Sequence, residues 1–201
     1  MTTLPPGITT PGFPVVDVSV CLSDLSELPS DLSSRWPTDM TGIGFESTGL
    51  SAFPPSLAQM SAFSYYFTGN KFLSIPSEIL RGRTVAVLSL SSNTALSALP
   101  DEDWYASYVD IRFTNVTQLP QWVYQKQGGG KFHVLGSGTK EWIAVITAGS
   151  TPFCAAQLRE NPTLDIIRLP SAVVDCRAPM TPSPIANCST PLEYLAITRP
   201  V

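Results

Sequence analysis

Histidine is almost missing: the chain has 201 residues and one imidazole, His133. A Ser-His-Asp hydrolase would have to use that one side chain, and it stands beside a glycine-rich stretch with no nucleophile motif. Charge is scarce as well. Charged residues make up 14% of the chain, and 12 basic against 16 acidic side chains give a formal net charge of −4. A nucleic-acid surface needs clustered Lys and Arg to displace counterions, so no nucleic-acid partner is expected. No apolar run approaches the roughly 20 residues that cross a bilayer. The longest, around Trp142–Ala148, is strand-sized. The opening MTTLPPGITTPGFP has no basic segment followed by an apolar one, so the sequence as given reads as encoding neither export nor anchoring. That leaves a cytosolic protein, a piece of a longer chain, or a true start further upstream.

Other absences narrow the chemistry. There are four cysteines but no C-x-x-C, and with a single histidine a zinc site has few ligands to draw on. The stretch Gly128–Lys131 runs into Gly-Lys-Phe, not Gly-Lys-Ser/Thr, so it fails as a phosphate-binding loop. Asp101-Glu102-Asp103 follows a proline and reads as a solvated turn. No catalytic residue, metal ligand or cofactor is expected.

What is present is apolar and periodic. Hydrophobic residues make up 43% of the chain, too many for a disordered acidic tail. Many of the 19 prolines are regularly placed. An apolar residue precedes proline in Leu28-Pro29, Phe53-Pro54, Ile75-Pro76, Leu99-Pro100 and Leu119-Pro120, and successive proline numbers differ by 25, 22, 24 and 20. Five residues before the apolar anchor lie Ser23, Thr48, Asn70 and Thr114; in the fourth unit Asn93 lies six before. Upstream of each stands an alternating pair: Val18/Val20, Ile43/Phe45, Tyr65/Phe67, Leu88/Leu90 and Val109/Ile111. Downstream come Leu25, Leu50, Phe72, Leu96 and Val116, and beyond the proline Leu32, Leu57, Ile79, Trp104 and Val123.

Each part has a physical reason. Alternation makes a short strand with one face turned inward. The Ser, Thr or Asn position turns its side chain inward to satisfy backbone groups where the strand ends. Proline fixes φ at the start of the returning segment and gives up a donor that segment does not need.

The pattern L-x-x-L-x-L-x-x-N-x-L-x-x-L-P-x-x-L resembles the leucine-rich-repeat family, and the chain looks like the extracellular members found in receptors and secreted proteins. Five units across Val15–Val123 carry the resemblance. A sixth, degenerate unit is read in AVITAGSTPFC, with Ala144/Ile146 as the inward pair and Gly149 at the ladder. Its ending, Pro152-Phe153-Cys154, is similar to the N-P-F-C that opens cysteine-containing C-terminal caps, with Thr151 where the Asn would stand.

The resemblance implies an α/β solenoid: a short curved array with a parallel sheet on its concave face, mostly strand and irregular or 3₁₀ turn. Residues 1–14 read as a Pro/Thr-rich lead-in and 15–149 as the array, with a glycine-rich excursion at 125–139. Residues 150–176 read as a C-terminal cap, which a solenoid needs to cover its last unit, and 177–201 as a Pro-rich tail. Cys154, Cys176 and Cys188 are disulfide candidates, with Cys154–Cys176 the favoured pair and Cys188 open. Zinc ligands or buried thiols are the alternatives. Asn115-Val116-Thr117 and Asn187-Cys188-Ser189 are glycosylation sequons.

The expected function is recognition of a protein or peptide through the concave face, outside the cell or at its surface. An intracellular scaffold is the first alternative and a secreted enzyme or enzyme inhibitor the second. Outward strand positions place Glu46, Tyr66, Tyr108, Asp110 and Arg112 as the main contact candidates, Tyr and Arg being frequent interface hot spots. The sequence does not fix the oligomeric state.

Overall fold

The computed structural model describes residues 3–12, 16–25, 27–101, 104–125 and 144–177. Among the described residues there are eight strands: β1 (Asp17–Cys21), β2 (Asp39–Glu46), β3 (Ser61–Tyr66), β4 (Thr84–Ser89), β5 (Tyr105–Asp110), β6 (Ala144–Thr147), β7 (Ile166–Leu169) and β8 (Ala172–Asp175). They form one mostly parallel sheet in the order β1-β2-β3-β4-β5-β6-β8-β7, with only β7 antiparallel to its neighbour. The sheet does not close into a barrel, and its helices are few and short: α1 (Leu32–Arg35), α2 (Ser77–Leu80) and α3 (Pro152–Glu160).

Parallel neighbours require the chain to return after every strand. The regular prolines start those returns. Pro54, Pro76 and Pro120 are the residues before short helical turns at Pro55–Gln59, α2 and Gln121–Tyr124, with φ of −66°, −61° and −58°. These are values the pyrrolidine ring enforces.

The register aligns the inward pairs across the sheet: Val18↔Ile43, Ile43↔Tyr65, Leu88↔Val109, Val109↔Ile146 and Ile146↔Val174. All are buried, and they share one core with Leu32, Leu57, Ile79, Trp104 and Val123 of the return segments. Phe53 and Phe67 meet edge-on at 4.6 Å, and Trp104 and Trp122 at 5.5 Å. A further buried row, Met40, Ala62, Val85 and Ala106, occupies the strand starts. There the simple alternation breaks, so period-2 reasoning did not place it.

The turn out of each strand has a common geometry. The residue before each ladder position has positive φ: Leu22, Ser47, Gly69, Ser92, Phe113 and Ser150. Only Gly69 takes this conformation without a Cβ penalty. The last of these turns corrects the sixth unit. Because Val109 pairs with Ile146, the residue two on, Ala148, aligns with Ile111, and the ladder position falls on Thr151, not Gly149. Ala148 and Thr151 are buried.

The N-terminal residues are docked: Leu4 is buried, and the Trp36 indole donates to the Ile8 carbonyl at 2.6 Å. At the other end Thr151 caps α3, accepting from the Cys154 amide at 3.2 Å, with Pro152 at the first helical position. Cys154 and Cys176 form a disulfide with Cα atoms 5.4 Å apart. Most of the glycine-rich excursion, His133, Glu102, Asp103, Asn187, Cys188 and residues 178–201 lie outside the described residues.

Candidate functional site

The ladder is made of unequal parts. Asn70 Nδ2 donates to the Phe45 carbonyl at 2.6 Å and the Phe67 carbonyl at 3.1 Å, and its Oδ1 accepts from the Thr48 amide at 3.1 Å and the Thr48 hydroxyl at 2.9 Å. Asn93 Nδ2 donates to the Phe67 and Leu90 carbonyls, each at 2.8 Å, and its Oδ1 accepts from the Phe72 amide at 3.2 Å. An amide both donates and accepts, so it joins adjacent strand ends. The hydroxyls of Thr114 and Thr151 each donate to one carbonyl three residues back, Ile111 and Ala148, at 2.7 Å. Thr48 is served by Asn70. The Ser23 hydroxyl is buried without a hydrogen-bond partner, so it does not fill the ladder role.

The opposite side of the strands carries the contact candidates. One outward row runs Ser19, Gly44, Tyr66, Ser89, Asp110, Thr147, Asp175 in continuous register. A second runs Asp17, Gly42, Ser64, Val87, Tyr108, Val145, Val173. Side chains two residues further on add Cys21, Glu46, Thr68, Ser91, Arg112 and Arg177. The glycines of β2 leave room for larger neighbours: a Cβ on Gly42 would lie 2.3 Å from an Asp17 carboxylate oxygen, and one on Gly44 would lie 3.5 Å from Tyr66 Cβ.

Tyr66, Tyr108 and Glu46 stand here half-buried. Asp110 is not presented as the sequence suggested. It is 2% exposed and held by Arg112, whose Nε lies 2.9 Å from Oδ1 and whose Nη2 lies 2.7 Å from Oδ2. Asp110 thus positions the guanidinium. The same two-residue fork recurs at Asp175–Arg177, with Arg177 Nε 2.9 Å from Oδ1. Between the forks Thr147 meets the Tyr108 hydroxyl at 3.1 Å. This second fork was missed because the sequence showed no outward strand at 172–175; the repeated Asp-x-Arg spacing was the available signal.

The electrostatics change along the face. Burial pushes the carboxyls of Asp17 and Glu46 above their ordinary range. The Tyr66 phenol is raised by burial and further by the charges of Asp17 and Glu46. At the other end the hydrogen bond from Arg177 holds the Asp175 carboxyl below its ordinary range. Burial, then the Asp110 charge, raise the Tyr108 phenol.

Asn115 and Thr117 of the first sequon are exposed, in the turn after β5. Asp101 accepts from the Gln121 amide and so ties a turn. Among the described residues no group of acids, cysteines or histidines is arranged to hold a metal, and no helix is long and apolar enough to cross a membrane. No family model, curated protein or solved structure matches the chain.

Proposed function

We propose that the chain is a leucine-rich-repeat solenoid acting as a protein- or peptide-recognition module outside the cell or at its surface. The observation that carries this reading is the outward face of the parallel sheet. Tyr66 and Tyr108 stand there on β3 and β5 and Arg112 in the turn after β5; the Thr147 hydroxyl meets Tyr108 and the buried Asp110 carboxylate holds Arg112. Rigid aromatic and guanidinium side chains give up little entropy on contact. The asparagine pair at the turns and the left-handed residue before every ladder position support the solenoid reading, and the Cys154–Cys176 disulfide supports an oxidising compartment.

An intact mass of the protein recovered from its own cells tests the compartment. Cysteines that resist alkylation until reduced, together with a glycan on Asn115, are the expected result. Four freely alkylated thiols and a bare Asn115 would refute export and leave the intracellular scaffold.

A further inference from the structure

The β5–β6–β8 part of the outward face carries two rails. One is apolar. Tyr108, Val145 and Val173 are register partners on the three strands. Val145 is 44% exposed, and Tyr108 and Val173 are half-buried. Apolar surface rimmed by polar groups marks contact sites.

The other rail is cationic. Asp110 and Asp175 lie in the next row along the strands, with Thr147 between them. Each aspartate takes the side edge of a guanidinium, the Nε and Nη2 of Arg112 and of Arg177. A guanidinium is planar with five donors, so its Nη1–Nη2 edge is directed away from that aspartate. In both forks the carboxylate is the deeper partner: the aspartate is 2% exposed against 25% for its arginine in the first, and 21% against 65% in the second. A ligand carboxylate on the outer edge stands about 4 Å from the guanidinium charge and about 7 Å from the aspartate behind it. Coulomb energy falls as the inverse of distance, so attraction wins.

Spacing narrows the ligand. The forks are two strand steps apart, β5 to β6 to β8, or about 9.6 Å at about 4.8 Å per step. Same-side residues of a β-strand, two apart, are separated by about 6.7 Å. One helical turn, at i and i+4, spans about 6 Å. A polyproline II peptide repeats its side-chain direction every three residues, about 9.3 Å along its axis, which matches. Its other edges are apolar when proline fills the intervening positions, and an aromatic-lined surface suits them.

We propose that this part of the face binds an acidic, proline-rich peptide segment in the polyproline II conformation. Two carboxylates three residues apart engage Arg112 and Arg177, and the prolines between them rest against Tyr108 and Val145. Asp110 and Asp175 act as positioning residues that hold the guanidinium groups at the matching distance. Asp17 and Glu46, on β1 and β2, repel such a ligand and confine it to the β5–β8 end. The proposal rests on the reading of this sheet as a recognition face and names the class of ligand.

Fluorescence anisotropy on the full oxidised chain tests it with three labelled peptides: Gly-Glu-Pro-Pro-Glu-Gly, the respaced Gly-Glu-Glu-Pro-Pro-Gly and the charge-reversed Gly-Lys-Pro-Pro-Lys-Gly. The first should bind at least about tenfold more tightly than either of the others, the effect expected of one charge-assisted contact. R177Q should weaken it by about the same factor. R159Q removes the same charge from exposed α3 and should leave binding unchanged. Equal binding of the two acidic peptides, tighter binding of the lysine peptide, or an R177Q no weaker than R159Q overturns the proposal. Failure of all three peptides to bind overturns it as well, and cross-linking from the outward face then decides the recognition reading separately.

Discussion

The two ends of the outward face solve the same problem differently. At β1–β3 the acids Asp17 and Glu46 stand beside glycines and a tyrosine, and burial lifts their pKa values. At β5–β8 each acid holds an arginine two residues away. Beneath the face the contrast is repeated. Near β3 an asparagine joins strand ends over stacked phenylalanines. Near β6 threonines each donate to a single carbonyl and a disulfide fastens the end. One half relies on a buried amide network, the other on local forks and a covalent link, so the halves should fail under different perturbations.

The sharpest separation comes from the disulfide. C154S/C176S opens a loop of 22 residues and should cost about 3 kcal/mol. Hydrogen exchange should show the loosening at β6–β8 first, with β2–β4 protected. Uniform loosening across the sheet would erase the distinction between the halves.

Asn70→Ala should cost about 2–3 kcal/mol, because it strands the Phe45 and Phe67 carbonyls and the Thr48 amide in a buried turn. Chemical denaturation measures it. A loss no larger than that of Thr114→Ala would mean the amide network carries no special share.

The acids give smaller effects of opposite sign. Burial raises Glu46 above its ordinary 4.5. Its stabilising contribution is therefore complete below that value and lost as pH rises through the raised one. Arg177 lowers Asp175 below its ordinary 3.8, so its contribution is present above that value and lost as pH falls through the lowered one. Glu46→Gln should raise stability near neutral pH and flatten the profile above 4.5. Asp175→Asn should lower stability near neutral pH and remove the acid-side loss. Arg177 is 65% exposed, so solvent screening keeps the latter effect small. Thermal melts from acid to neutral pH read both, and like signs would contradict the charge map. The smallest change expected is Ser23→Ala. Its buried hydroxyl has no partner, so the midpoint should stay put or rise slightly.

Much of this was legible in the sequence. Alternating apolar pairs and regular prolines located β1–β5 and their inward residues, because burial on one face imposes period 2 and proline imposes φ. The sixth strand was found two residues out of register. Ala144, Ile146 and Ala148 are all apolar, so alternation alone could not choose which pair precedes the ladder; hydrogen bonding at Thr151 decides it. The outward tyrosines were placed by the same register. The burial of Asp110 was not, since a short-range Asp-x-Arg fork depends on the turn after the strand. β7 and β8 were hidden inside a segment read as a cap.

The most direct test of a recognition face is site-specific photo-cross-linking on the cells that make the protein. A photoreactive residue at exposed Phe63, at the start of β3, is compared with one at exposed Arg159 on α3. The account predicts a discrete protein or peptide adduct from position 63, absent from position 159 and lost in Y66A/R112A. An adduct from position 159 alone, or one from position 63 that survives Y66A/R112A, would contradict it.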